Sequence, residues 1–173
     1  MMNTHKLTLL AVLTASAIAI SILESFIPNF GIPGIKLGFA NIVILITLYE
    51  LGPKEAIGVN LMRVYLASLL RGTILSMGFL MSLSGAILSF IIMLVFYLWV
   101  KKFSIIGVSV LGAIFHVIGQ ILVAMAYLGS ASIVLYLPII AISSIVTGVI
   151  VGVIANIIIK SGVIKKQKDK YNF

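Results

Sequence analysis

Arg63 is the residue least in keeping with its surroundings. It sits inside the apolar run 55–70, where a lone charge costs roughly 2.5–3.5 kcal/mol on insertion scales. Helical spacing places Asn60, Arg63, Ala67 and Arg71 on one stripe. His116 and Gln120 stand four apart and so point the same way, with the small residues Gly112 and Gly119 beside them. Glu24, Lys36, Asn41 and Tyr136, the last just before Pro138, complete the polar groups that flank or interrupt apolar stretches. If the fold gathers them, Lys36, Arg63 and Arg71 set three permanent cations against the Glu24 carboxylate. Such a cavity favours an anion, a carboxylate or phosphate held by guanidinium forks. Each residue also has a purely structural reading. Arg63 can lock helices by pairing with Glu24, Arg71 and Lys36 can snorkel to an interface, and His116 and Gln120 can bond neighbouring helices.

The elements that must position these groups follow from composition. Of 173 residues 62% are hydrophobic and 9% charged, and mean hydropathy is +1.29. A soluble domain is about 45–50% apolar and about 25% charged, so an ordinary water-soluble fold and a disordered chain are both excluded. In hydrocarbon the backbone must satisfy its own hydrogen bonds, so long apolar runs become helices. Six are expected, over 7–27, 37–51, 55–70, 75–100, 104–128 and 133–159, separated by Pro/Gly-rich or basic breaks. The fold class is therefore an all-α bundle of six transmembrane helices. Residues 1–160 form one domain and 161–173 a basic tail. The first run imitates a signal peptide through Lys6 and Ala15-Ser16-Ala17, but it continues through Leu23, long enough to span.

An even number of spans puts both termini on one side. Lys6, Lys54, Lys101, Lys102, Lys160, Lys165, Lys166, Lys168 and Lys170 all fall on that side, against Lys36 and Arg71 opposite. The positive-inside rule makes it the cytoplasm. The net charge of +8 thus reflects topology and a tail facing anionic headgroups, not nucleic-acid binding. Glu24, Lys36, Asn41, Arg71 and Tyr136 then fall in the outer half, with Arg63, His116 and Gln120 near the midplane.

Catalytic signatures are missing. No Walker A, GxSxG or HExxH pattern occurs, there is no cysteine, and the single aspartate is Asp169 in the tail. No catalytic residue, metal site or cofactor is expected, and ATP-driven work would need another subunit. Ala11, Ala15 and Ala19 form a small-residue stripe on the first helix, as do Gly148 and Gly152 on the last. Such stripes permit close helix approach.

The stretch Glu24, Ile27-Pro28, Ile35-Lys36-Leu37-Gly38-Phe39-Ala40-Asn41, then Gly52-Pro53-Lys54-Glu55-Ala56 and Arg63, resembles the Gx transporter family, also catalogued as heptaprenyl diphosphate synthase component I. Ser82-Leu83-Ser84-Gly85, Gly107 through Ala113, His116, Gly119-Gln120 and Tyr136-Leu137-Pro138 extend the resemblance over most of the chain, with a departure at Val117, where Asn is expected. The resemblance implies a substrate-binding S component of an energy-coupling factor transporter in a prokaryotic cell membrane. It implies an outward cavity, and an alanine stripe (Ala11, Ala15, Ala19) docked on a transmembrane coupling subunit driven by cytoplasmic ATPases. The expected ligand is an anionic or amphipathic small molecule linked to isoprenoid or quinone metabolism. The alternative is a non-catalytic membrane component that assists heptaprenyl diphosphate synthesis. A proton-driven carrier has only Glu24 and His116 to work with.

Overall fold

The computed structural model describes residues 4–26, 36–100 and 103–171. The loop expected at 28–34 and the Lys101-Lys102 break lie outside the described residues. The chain forms α1 (Thr4–Glu24), α2 (Asn41–Glu50), α3 (Pro53–Leu70), α4 (Met77–Trp99), α5 (Ile105–Leu128), α6 (Leu137–Ser161) and α7 (Val163–Tyr171). A 3-10 turn over Ala131–Tyr136 leads into α6. Local chemistry sets these boundaries. Gly52, at φ 108°, precedes Pro53 in the first turn of α3. The Ser76 and Ser104 hydroxyls accept bonds from the Phe79 and Gly107 amides and cap α4 and α5.

The bundle is apolar outside and carries a buried polar cluster within an apolar core. Leu61, Met62 and Tyr65 on α3 and Ile142, Val146, Ile150 and Ile157 on α6 are exposed, whereas Asn60, Arg63, His116, Gln120 and Ser144 are buried. In water those exposed faces would form far larger apolar patches than soluble proteins carry. Lipid resolves the inversion. By length and composition α1, α4, α5 and the stretch Ala131–Lys170 containing α6 can each cross a bilayer. The remaining two expected spans differ for physical reasons. Helix α2 has only ten residues, since the chain from 36 to 40 runs extended and turned before it. Helix α3 is made less apolar by Lys54, Glu55, Asn60 and Arg63.

Helix α5 packs between α4 and α6, while α1 packs mainly on α3. Glycine permits the closest approaches. A Cβ on Gly119 would stand 2.9 Å from the Gly85 Cα and the Ser84 carbonyl oxygen, so α4 and α5 meet there backbone to backbone. The Lys6–Glu55 ion pair, at 2.6 Å, fixes the N-terminal ends of α1 and α3 at one end of the bundle. At that end Gly162, at φ 65°, turns the chain into α7, and Ile164 is buried in the cluster formed with Ala17, Ile44, Leu48 and Ala155.

Gly119→Val forces those two backbones apart and is expected to destabilise by about 1–3 kcal/mol. Gly58→Ala, where a Cβ meets nothing within 4 Å, is expected to be neutral or to stabilise by up to about 1 kcal/mol. Thermal melts of the two purified variants in one detergent check the contrast.

Candidate polar cavity

Residues 36–40 enter the bundle as irregular backbone, and beyond the turn bonds from the Asn41 and Ile42 amides to the Gly38 and Phe39 carbonyls their partners are distant. The Gln120 side chain closes a two-way pair with Lys36. Its Oε1 accepts from the Lys36 amide at 2.7 Å, and its Nε2 donates to the Lys36 carbonyl at 2.9 Å. The Thr147 hydroxyl on α6 donates to the Leu37 carbonyl at 3.3 Å. The amides of Gly38 and Phe39 both donate to Glu24 Oε1. Gly38 adopts φ 88°, a conformation that disfavours any side chain, and a Cβ there would press on Asn41 and the His116 ring. Non-helical backbone survives at membrane depth only where protein satisfies it. Here α1, α5 and α6 supply the partners.

A second network joins α2, α3 and α4. Arg63 Nη2 donates to Asn60 Oδ1 at 2.8 Å and to Asn41 Oδ1 at 3.4 Å. Asn60 Nδ2 donates to the Ala86 carbonyl at 2.9 Å, and Asn41 Nδ2 donates to the Ser89 hydroxyl at 3.1 Å. Both asparagine bonds come from one guanidinium nitrogen, Nη2. Arg63 is 3% exposed, and its Nε has no partner. His116, at 2% exposed, likewise leaves Nδ1 unpartnered. A Cβ on Gly85 would lie 3.0 Å from that ring, so the missing side chain is what admits the imidazole.

Between the two networks lies a cavity of about 10 Å³, lined by Ser21, Glu24, Lys36, Arg63, Val64, Ser82 and His116, room for roughly one water. Lys36 Nζ reaches the Ser21 hydroxyl at 3.4 Å. Arg63 and Glu24 share the cavity wall without the direct ion pair that Lys6 and Glu55 form at 2.6 Å. Two cations and one carboxylate face this space.

Of the eight residues expected at the site, Glu24, Lys36, Arg63 and His116 line the cavity, while Asn41 and Gln120 hold its walls. Arg71 stands at the C-terminal end of α3, partly buried, with Nε on the Ala67 carbonyl at 3.0 Å. Tyr136 is 45% exposed on the 3-10 turn. Neither lines the cavity. The wall residues that sequence reasoning missed are Ser21 and Ser82, together with Ser89 behind Asn41. Ser82, Gly85 and Ser89 share one face of α4, and Ser21 lies one turn before Glu24, so small-polar periodicity was the available signal. No group of three or more His, Cys, Asp or Glu among the described residues is placed to hold a metal ion.

Along the α1–α3 seam runs an apolar groove of about 640 Å³. Ala11, Ala15 and Gly58 form part of its lining, with Met62 and Leu66 beyond them and Lys54 and Glu55 at its end. Ala11, Ala15 and Ala19 are all exposed, whereas Ala17 is buried. Ala19 stands outside the groove lining.

A model of the heptaprenyl diphosphate synthase component I family matches residues 13–158, and the chain belongs to that family. No curated protein and no solved structure matches it.

Gln120→Leu orphans both backbone groups of Lys36 and is expected to cost about 1–3 kcal/mol for each. Ser84→Ala removes only a hydroxyl that donates to the Gly119 carbonyl, and is expected to cost under about 1.5 kcal/mol. Unfolding midpoints of both variants against the wild type test the difference.

Proposed function

We propose that this member of the heptaprenyl diphosphate synthase component I family is the substrate-binding membrane subunit of an uptake transporter, taking an anionic or amphipathic small molecule into the cavity beside Arg63. The observation that carries the reading is a buried guanidinium whose Nε has no partner, beside Lys36 and only one carboxylate. A buried polar group without a partner is costly, and the natural complement of excess positive charge is an anionic group. The anionic part of the ligand class follows from that charge. An isoprenoid- or quinone-related acid or diphosphate supplies such a group.

Both termini face the cytoplasm in this reading, and the cavity belongs to the outer half of a prokaryotic cell membrane. The nine lysines on the cytoplasmic side support that orientation. Arg71 and Tyr136 flank the entrance and meet the ligand before Arg63 does. About 10 Å³ accommodates no organic ligand, so binding requires the walls to separate. The movable wall is the 36–40 segment, which holds its place by side-chain bonds and not by a helix of its own.

Bundle reorientation would be driven from outside the chain. The exposed alanines and the groove between α1 and α3 suit a helix of a transmembrane coupling subunit, itself driven by cytoplasmic ATPases. Close approach over small residues supplies the packing that holds helices together in lipid. The chain supplies no catalytic group in this scheme. The family description favours a second reading, a non-catalytic membrane component that assists heptaprenyl diphosphate synthesis, in which the cavity is structural and the cytoplasmic face carries the function.

Extracts of wild-type and Arg63→Ala protein, purified alike and compared by mass spectrometry, separate the two. The uptake reading expects an organic anion enriched with the wild type and depleted about tenfold or more in the variant, with a cooperative melt retained in both; identical extracts contradict it. Ala15→Leu fills the groove and is expected to abolish copurification of a coupling subunit without lowering the melting temperature. Copurification that survives the substitution removes α1 from that interface.

A further inference from the structure

The tail expected to follow the last span is instead helix α7, Val163–Tyr171, and its faces are sharply divided. Ile164 is 8% exposed and packs into the core at the ends of α1, α2 and α6. Gln167 borders a pocket with His5, Thr8, Leu9 and Val12 on α1. At 100° per residue, Ile164 and Gln167 lie on one side, Lys165, Lys166 and Asp169 lie opposite, and Lys168 and Lys170 flank the two sides. All four lysines are exposed. The arc carries a net charge of +3, four lysines less one aspartate, and Lys160 is exposed on the last turn of α6.

We propose that α7 is a surface-lying helix that binds the headgroups of anionic phospholipids in the leaflet next to it. Three observations on the helix point to lipid. It begins two residues after α6 ends, so its lysines stand at the depth where a bilayer-crossing helix leaves the hydrocarbon. Ile164 is anchored in the bundle, which fixes the rotation of the helix and keeps the cationic arc turned outward. Val163, 56% exposed at its start, gives the arc an apolar edge that suits the acyl boundary. Each lysine near an anionic surface contributes about 1 kcal/mol, and an arc of four held in fixed register is stronger than the same lysines on a loose tail. Through Gln167 the helix lies against the first turns of α1, so bound lipid also steadies the end of α1 where the apolar groove begins. The inference is independent of transport and of which ligand the cavity takes.

The test is native mass spectrometry of the full chain released from mixed phosphatidylglycerol and phosphatidylcholine bilayers, comparing the wild type with Lys165→Gln, Lys166→Gln, Lys168→Gln and Lys170→Gln combined. The wild type is expected to retain phosphatidylglycerol in preference to phosphatidylcholine, and the combined variant to lose that preference by about tenfold or more. The four lysines replaced by arginine serve as the fold and charge control and are expected to keep it. Equal phosphatidylglycerol retention in the wild type and the glutamine variant overturns the proposal. So does equal retention accompanied by loss of an associated acidic protein, which assigns the arc to a protein partner.

Discussion

The bundle depends on the pairing of the Gln120 side chain with both backbone groups of Lys36. In water such a pair would be a minor convenience. In hydrocarbon no water is available to an open peptide group, so five residues of non-helical chain can enter only where side chains replace the missing helical bonds. Gln120, Glu24 and Thr147 do so from three different helices. The inserted segment then brings Lys36 to the cavity wall and sets Asn41 at the start of α2, where it meets Arg63. Removing that pair would undo the cavity as well as the loop.

The same constraint explains why Arg63 is tolerated. A buried charge must be surrounded by fixed dipoles or by opposite charge. Asn60 and Asn41 supply dipoles at Nη2, and Glu24 lines the same cavity. The arrangement leaves Nε and the His116 Nδ1 without partners. The proposed binding role rests on that unpartnered Nε.

Much of this fold is legible in the residues. Four helices follow from uninterrupted apolar runs, and the starts expected at 55, 75 and 104 fall within two residues of Pro53, Met77 and Ile105. The start of α2 is not legible, because 37–40 is as apolar as the helix after it. What holds it out of the helix lies at Glu24 and Gln120, far along the chain. Helix α7 is missed for the opposite reason: its charge reads as a basic tail facing headgroups, and its single buried anchor, Ile164, becomes informative only once the core it enters is known. For the site, topology gives the depth of a residue but not its direction around the bundle. Depth groups Arg71 and Tyr136 with Glu24 and Lys36, and packing then turns the first pair away from the cavity and the second pair into it.

The central proposal is that the unpartnered Nε of Arg63 is there to receive an anionic group. An experimentally determined structure of the protein purified from its own membrane, at a resolution that separates organic ligand from solvent, tests this most directly. The account predicts density for a carboxylate or phosphate within hydrogen-bond distance of Arg63 Nε, with the 36–40 segment displaced to admit it. An ordered water alone beside Arg63, with the Gln120–Lys36 pair intact, would contradict it.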